Sequence, residues 1–207
     1  TPLLRLVVLF GGVSAEHDVS RVTAAHVLAA ADRTKYELVP IGITKDGTWL
    51  RNDKAIAALA EGSPLPESLE PAGTVVEPLD VVRREEDGPI TVVLPLLHGP
   101  HGEDGTIQGM LELFTVPYVG SGVLSSALCM DKAMAKRVAA TAGIPQCRWI
   151  EYRDGIDDPE TIVATAIEEL GLPVFVKPGN LGSSVGITKA HDAAELDAAV
   201  NTALRYD

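Results

Sequence analysis

Three short stretches hold the residues with chemistry to offer, and each mixes glycines with ionisable or hydroxyl side chains. The first is Gly11-Gly12-Val13-Ser14-Ala15-Glu16-His17-Asp18-Val19-Ser20, directly after the apolar run Leu3–Phe10. A glycine turn between a strand and a helix ordinarily cradles phosphate, because helix N-terminal amides attract anions. This one lacks the third glycine of G-x-G-x-x-G and the G-K-[ST] of a P-loop. It also places Glu16 and Asp18 where a phosphate would be repelled. Ligands of parallel α/β sheets gather at the carboxyl ends of strands, so Glu16 offers a carboxylate to a cation there. The alternative is that Ser14, Glu16 and Asp18 only complement the helix dipole in solvent.

The second stretch is His98-Gly99-Pro100-His101-Gly102-Glu103-Asp104-Gly105, again at the end of a strand-like run. Three glycines within seven positions imply a backbone-constrained loop. A histidine there can orient a ligand or a side chain near neutral pH. A metal site is disfavoured, because the adjacent Glu103 and Asp104 diverge and His98 lies five residues back; a ligand-facing His98 or Glu103 is the preferred reading. The third stretch runs from Val174-Phe175-Val176-Lys177-Pro178-Gly179 through Asn180-Leu181-Gly182-Ser183-Ser184-Val185-Gly186. A lysine at a strand end followed by a glycine and serine loop suits polyphosphate, with backbone N–H groups and hydroxyls around the oxygens. It is no Walker loop, because the lysine precedes the glycines and a strand follows. Lys132, in Met130-Asp131-Lys132, is a second phosphate lysine or an exposed helix lysine.

The elements that must position these residues alternate between apolar runs and helical patterns, the mark of an α/β protein with a mostly parallel sheet. Residues 4–10 read as a strand. A helix over 15–31 follows, with Ser14 as its N-cap and Val19, Val22, His26 and Ala29 in one stripe. Strands are expected over 36–44, 90–97 and 116–119, with a turn at 45–47. Residues 61–73 and 84–88 read as exposed loops. Helices are expected over 106–114 and 125–142, the latter stopped by Gly143 and Pro145. A second βαβ-like stretch comprises 147–152, a helix over 159–170, and a strand over 173–177. Residues 187–189 and a helix over 192–205, striped by Leu196, Val200 and Leu204, complete the pattern. The domain boundary is placed near Gly120–Gly122, giving domains 1–122 and 123–207.

The 207 residues suffice for one large domain or two small ones. Seventeen basic and 29 acidic residues leave a net charge of −12. That balance argues against nucleic-acid or anionic-membrane partners, which need a basic footprint. Cys129 and Cys147 lack metal or redox spacing and read as reduced core or near-core thiols in a cytoplasmic protein. The N-terminal apolar run lacks a basic flank and a cleavage site, so it reads as a buried strand and not a secretory signal. No apolar stretch approaches a membrane span.

Together the motifs resemble the D-alanine–D-alanine ligase family of the ATP-grasp superfamily. GG-x-S-x-E-x-x-V-S falls at 11–20, HG-x-x-GEDG-x-I-QG at 98–109 and V-K-P-x-x-x-GSS-V-G at 176–186, with MDK at 130–132 between the last two. The resemblance covers essentially the whole chain. It implies a doubly wound N-terminal domain followed by the first lobe of an ATP-grasp domain. It also implies that ATP phosphorylates the carboxylate of one D-alanine and the amine of a second attacks the acyl phosphate, for peptidoglycan. Glu16 matches the glutamate that holds the first D-alanine's ammonium, and His98 the histidine near that subsite. Ser183 matches the loop serine that joins Glu16 in a hydrogen-bond network. Lys132 and Lys177 match the lysines on the ATP phosphates, with Gly182, Ser183 and Ser184 in the nucleotide loop. A homodimer through the N-terminal domain and Mg2+ or Mn2+ are likewise implied.

The metal ligands, an oxyanion arginine and the tyrosine loop of the family have no counterpart before Asp207. The expectation is therefore a fragment that lacks the metal-binding lobe and ligase activity of its own. Competing readings are a D-alanyl-D-lactate or D-alanyl-D-serine ligase, and a non-catalytic ligand-binding fragment. A Rossmann oxidoreductase is disfavoured by the missing G-x-G-x-x-G.

Overall fold

The computed structural model describes residues 4–83 and 88–206, so the expected loop at 84–88 lies outside the described residues apart from Gly88. The chain divides into two compact units, Thr1–Ala127 and Leu128–Asp207.

The first unit is built on a five-stranded sheet of order β4-β3-β2-β1-β5. The strands are β1 (Leu4–Gly11), β2 (Tyr36–Ile43), β3 (Trp49–Arg51), β4 (Thr74–Val75) and β5 (Thr91–Pro95). The long apolar runs β2, β1 and β5 are parallel, and the short β3 and β4 complete one edge in antiparallel sense. β1 shows why these runs are near-continuously apolar. Val7 and Leu9 enter one core, Val8 and Phe10 the other, and all four are fully buried. A parallel strand covered on both faces has no solvent face to mark with polar residues. Helices α1 (His17–Ala30) and α2 (Asp53–Glu61) supply residues to the Val8/Phe10 core. Helices α3 (Pro78–Val82) and α4 (Thr106–Leu113) supply the other. The doubly wound arrangement expected for the N-terminal part is thus present.

Several local expectations are corrected. The stripe Val19, Val22, His26 and Ala29 of α1 faces outward, and the buried face is His17, Ser20, Ala24, Ala25 and Leu28. Small side chains on that face let the helix sit close to the sheet, and valine content misled the periodicity. Ser14 is not the N-cap of α1. Glu16 occupies that position without a side-chain capping bond. The loop 61–73 is not wholly exposed, because Leu69 is buried against Ala55, Leu59 and Phe10. Residues 116–119 form only a single bridge, Val93 to Tyr118, and not a strand. Sequence patterning passed over β3, α2, β4 and α3, which are short.

The continuous helix expected over 125–142 is two helices, α5 (Val123–Met130) and α6 (Lys132–Thr141). Asp131 breaks it by accepting the Met134 amide at 2.9 Å and so capping α6. In the second unit, α7 (Pro159–Leu170) and α8 (Ala193–Ala203) lie on a two-stranded antiparallel pair, β6 (Val174–Val176) and β7 (Thr188–Ala190). Ala166, Ala190, Leu196 and Ala199 form its small core, with Val200 partly buried beside them. Residues 147–152 form no strand, so the βαβ expectation for this part fails. Cys129 and Cys147 are exposed free thiols and not core residues. Cys129 falls on the outer side of α5, and Cys147 in the irregular segment after α6. Among the described residues, no helix is long and apolar enough to cross a membrane.

Candidate active site

In the first unit the glycine turn and the His98 loop meet at the carboxyl ends of β1 and β5. Parallel pairing brings those two ends side by side, with Leu9 opposite Pro95. β1 then ends in two residues of positive φ, Gly11 (+87°) and Gly12 (+92°). A side chain on Gly11 would run into the carbonyl of Ile43, so glycine is required there on packing as well as on conformation. The turn is held by hydrogen bonds to side chains of its own motif. The Gly11 N–H donates to Ser20 Oγ at 2.8 Å. His17 Nδ1 lies 2.6 Å from the Gly12 carbonyl. A carbonyl only accepts, so Nδ1 carries the proton and the tautomer is fixed.

This turn delivers Glu16 to the first position of the site. Its residue is 3% exposed, a rare setting for a carboxylate. Gly99 packs directly against it, and a Cβ at Gly99 would collide with Glu16 Oε2. His98 stands beside it in the loop, with its side chain 29% exposed. Thr23 Oγ1 donates to Val19 O at 3.0 Å and lies 3.2 Å from His98 Nε2, which therefore donates to Thr23. Protonation of His98 Nδ1 then makes an ion pair with Glu103 Oε1 at 3.9 Å. Glu103 Oε2 in turn accepts the Gly99 N–H at 2.7 Å, which ties the loop to itself.

The rest of the loop is braced. Asp104 accepts the amides of His101 and Thr106, both at 2.9 Å. Burial pushes its carboxyl upward, but those amides outweigh it and hold the group below its ordinary 3.8. Gln108 is buried and donates from Nε2 to the Gly102 carbonyl at 2.9 Å. Ser14 Oγ donates to the His98 carbonyl at 2.6 Å, joining the two motifs. Glu16 and His98 were both legible in sequence, whereas Thr23, His17, Ser20 and Gln108 were not. The last three lie inside the motifs, so their positions were visible even though their partners were not.

In the second unit Lys132 opens α6 and Lys177 follows β6. The Lys132 ammonium donates to the Gly179 carbonyl at 3.3 Å and to the Leu181 carbonyl, and its own amide donates to Gly179 O at 3.1 Å. Lys132 is therefore fastened to the glycine loop, while Lys177 is exposed at the loop's start. Ser183 (φ +46°) and Ser184 (φ +60°) are exposed residues in the left-handed region. Each such residue costs about 1–3 kcal/mol, and strain of this kind clusters where ligands are held. Lys132 at the start of α6, with Lys177, Gly182 and two exposed serines of the loop, matches the donor chemistry a polyphosphate needs. The 910 Å³ depression lined by Ile144, Cys147, Arg148, Trp149 and Leu170 holds none of these residues. It is open to solvent.

A doubly wound, mostly parallel sheet with a buried carboxylate at the switch between β1 and β5, followed by a strand–glycine-loop unit, defines an α/β protein of the doubly wound class. Family models add the rest. Residues 5–121 match the D-ala D-ala ligase N-terminus and residues 138–207 the D-ala D-ala ligase C-terminus. A D-alanine–D-alanine ligase of Thermoanaerobacter is 46% identical over 98% of this chain. One of Nocardia farcinica is 44% identical over the full chain. Among solved structures, the D-alanine–D-alanine ligase of Coxiella burnetii superposes with a TM-score of 0.79 at 35% identity, over 99% of this chain and 61% of that one. The VanG D-Ala:D-Ser ligase of Enterococcus faecalis gives 0.74 at 32% identity, over 99% of this chain and 60% of that one. The chain belongs to the D-alanine–D-alanine ligase family. It spans 58% of the Thermoanaerobacter protein and 59% of the Nocardia one.

Proposed function

We propose that the protein carrying this sequence is an ATP-dependent ligase that joins two D-alanines through a D-alanyl phosphate, for peptidoglycan precursor synthesis in the cytoplasm. The observation that carries this reading is the buried Glu16 carboxylate, enclosed by the Ser14 turn and Gly99 at the carboxyl end of β1. Ligands of parallel α/β sheets gather at the carboxyl ends of the strands, where this carboxylate stands. The ammonium of the first D-alanine is the cation it would meet, with His98 beside it. Residues 1–122 then form the amino-acid domain and 123–207 the nucleotide lobe.

Lys132, Lys177, Gly182, Ser183 and Ser184 take the ATP phosphates, and Ser183 keeps the substrate role that the family resemblance implies. Each charge-assisted hydrogen bond contributes about 1.5–3 kcal/mol. In the first step a D-alanine carboxylate oxygen bonds to the γ-phosphorus as the bond to the ADP oxygen breaks. In the second, the neutral amine of another D-alanine attacks the acyl carbon, phosphate leaves, and the amine gives up a proton. Such transfers depend on positioning and charge neutralisation. The family implies Mg2+ or Mn2+, but the described residues contain no group of three or more His, Cys, Asp or Glu that could hold a metal. A homodimer through the N-terminal domain accompanies this reading. A second reading, ligation of D-alanine to D-serine, is favoured by the likeness to the VanG enzyme.

The test of the nucleotide half is a titration of the 15N-labelled chain with ATP. Signals of residues 177–186 should shift, and Lys177→Ala should weaken the response. Unchanged loop signals, or equal affinity in the variant, would count against the assignment.

A further inference from the structure

We propose that Ser14 is a positioning residue that couples Glu16 to His98 through one hydroxyl. The inference rests on the reading of Glu16 and His98 as contacts of the first D-alanine.

The Ser14 hydroxyl has two partners of opposite kind. It donates to the His98 carbonyl at 2.6 Å and accepts the Glu16 N–H at 3.2 Å. The two residues that should meet the substrate are thus joined by a single oxygen, although Ser14 and His98 lie 84 positions apart in sequence. A helix-capping role does not account for this bond. Glu16 holds the N-cap position, and the bond that the Ser14 hydroxyl donates runs to the second motif.

Gly99 shows how tight the junction is. It follows His98 with φ +72°, and a Cβ there would sit 3.4 Å from Ser14 Oγ as well as against the Glu16 carboxylate. Ser14, Glu16 and the backbone after His98 therefore share one contact, and a shift of either loop is felt by the other.

The second serine of the motif makes the same type of bond one step earlier. Ser20 Oγ accepts the Gly11 N–H and donates to the Leu96 carbonyl at 2.5 Å. Leu96 and His98 are two residues apart in the segment after β5. Two hydroxyls of one motif therefore hold alternate carbonyls of the other. Ser20 is fully buried and belongs to the fold. Ser14 lies at the partly exposed rim, where its loss can be tested without dismantling the core.

Removing the Ser14 hydroxyl strips one hydrogen bond from the Glu16 amide and one from the His98 carbonyl. Both residues stay in place in sequence but lose their common register. In Ser14→Ala, hydrogen exchange of the Glu16 amide should rise, and D-alanine affinity should fall, each by about five- to tenfold. Ser14→Thr keeps the hydroxyl and should restore both. The His98 ring signals should move in the alanine variant and return in the threonine variant.

The coupling is overturned if Ser14→Ala leaves the Glu16 amide and the His98 ring unchanged, or if Ser14→Thr rescues neither. If the unsubstituted chain shows no response to D-alanine, the functional reading fails. The exchange and ring signals of the two variants still decide whether Ser14 couples the loops. If those signals respond as expected but D-alanine affinity does not, Ser14 is structural only and the positioning role is refuted.

Discussion

Replacing Gly99 by alanine probes the junction at which both motifs meet. Gly99 has φ +72°, and the added Cβ would collide with the Glu16 carboxylate. Two costs follow. A non-glycine residue in the left-handed region costs about 1–2 kcal/mol. Forcing a buried neighbour aside costs about 1–3 kcal/mol more. The total is about 2–5 kcal/mol. Gly62 supplies a matched control. Its φ is +75°, and an added Cβ meets only the flexible end of Arg33 at 3.7 Å. Gly62→Ala should cost only about 1–2 kcal/mol. The unfolded-state entropy gained by a Gly→Ala change is common to both and cancels in the difference. Urea unfolding followed by Trp49 fluorescence, in a Trp149→Phe background, reports on the first unit. A Gly99→Ala loss exceeding that of Gly62→Ala by about 1–3 kcal/mol is expected. Equal losses would refute the packing of the His98 loop on Glu16.

Other outcomes test the surroundings. Among the described residues the buried Thr91 hydroxyl has no hydrogen-bond partner, so Thr91→Val should be neutral or stabilise by about 1 kcal/mol in the same urea assay. Asp104 titrates below its ordinary 3.8 because backbone amides hold it charged. Its stabilisation is therefore present above that value and lost as pH falls through the lower folded value. Asp104→Asn should flatten the loss of stability as the solution is acidified below about pH 4, measured as the urea midpoint against pH. An identical acid slope in the variant would contradict the role of the His101 and Thr106 amides.

What was legible in the sequence was what long runs and motifs carry. β1, β2 and β5 are apolar runs, and their alternation with helices marked a mostly parallel α/β sheet. Glu16 and His98 stood out because each lies beside glycines in a strand-end motif, Gly11 and Gly12 before Glu16 and Gly99 after His98. The face of α1 was illegible, since Ser20, Ala24 and Ala25 pack against the sheet by being small while Val19 and Val22 point outward. Hydrophobicity ranks those residues the opposite way. The break at Asp131 was illegible for a different reason. A capping aspartate inside a helical pattern looks like one more polar surface residue until its bond to Met134 is seen. The hydroxyl links from Ser14 and Ser20 join positions more than 70 residues apart, and no local pattern encodes such partners. The two cysteines were misplaced because residue type predicts burial only on average.

The role of Glu16 is tested most directly by titrating D-alanine into the 15N-labelled chain and into Glu16→Gln, with L-alanine as the control. The site described here should give saturable shifts at Glu16, His98 and Gly99 with D-alanine. Those shifts should weaken at least about tenfold in the glutamine variant, which keeps the shape and removes the charge opposing the ammonium. Equal affinity in the two proteins, or shifts confined to residues away from the carboxyl ends of β1 and β5, would contradict it.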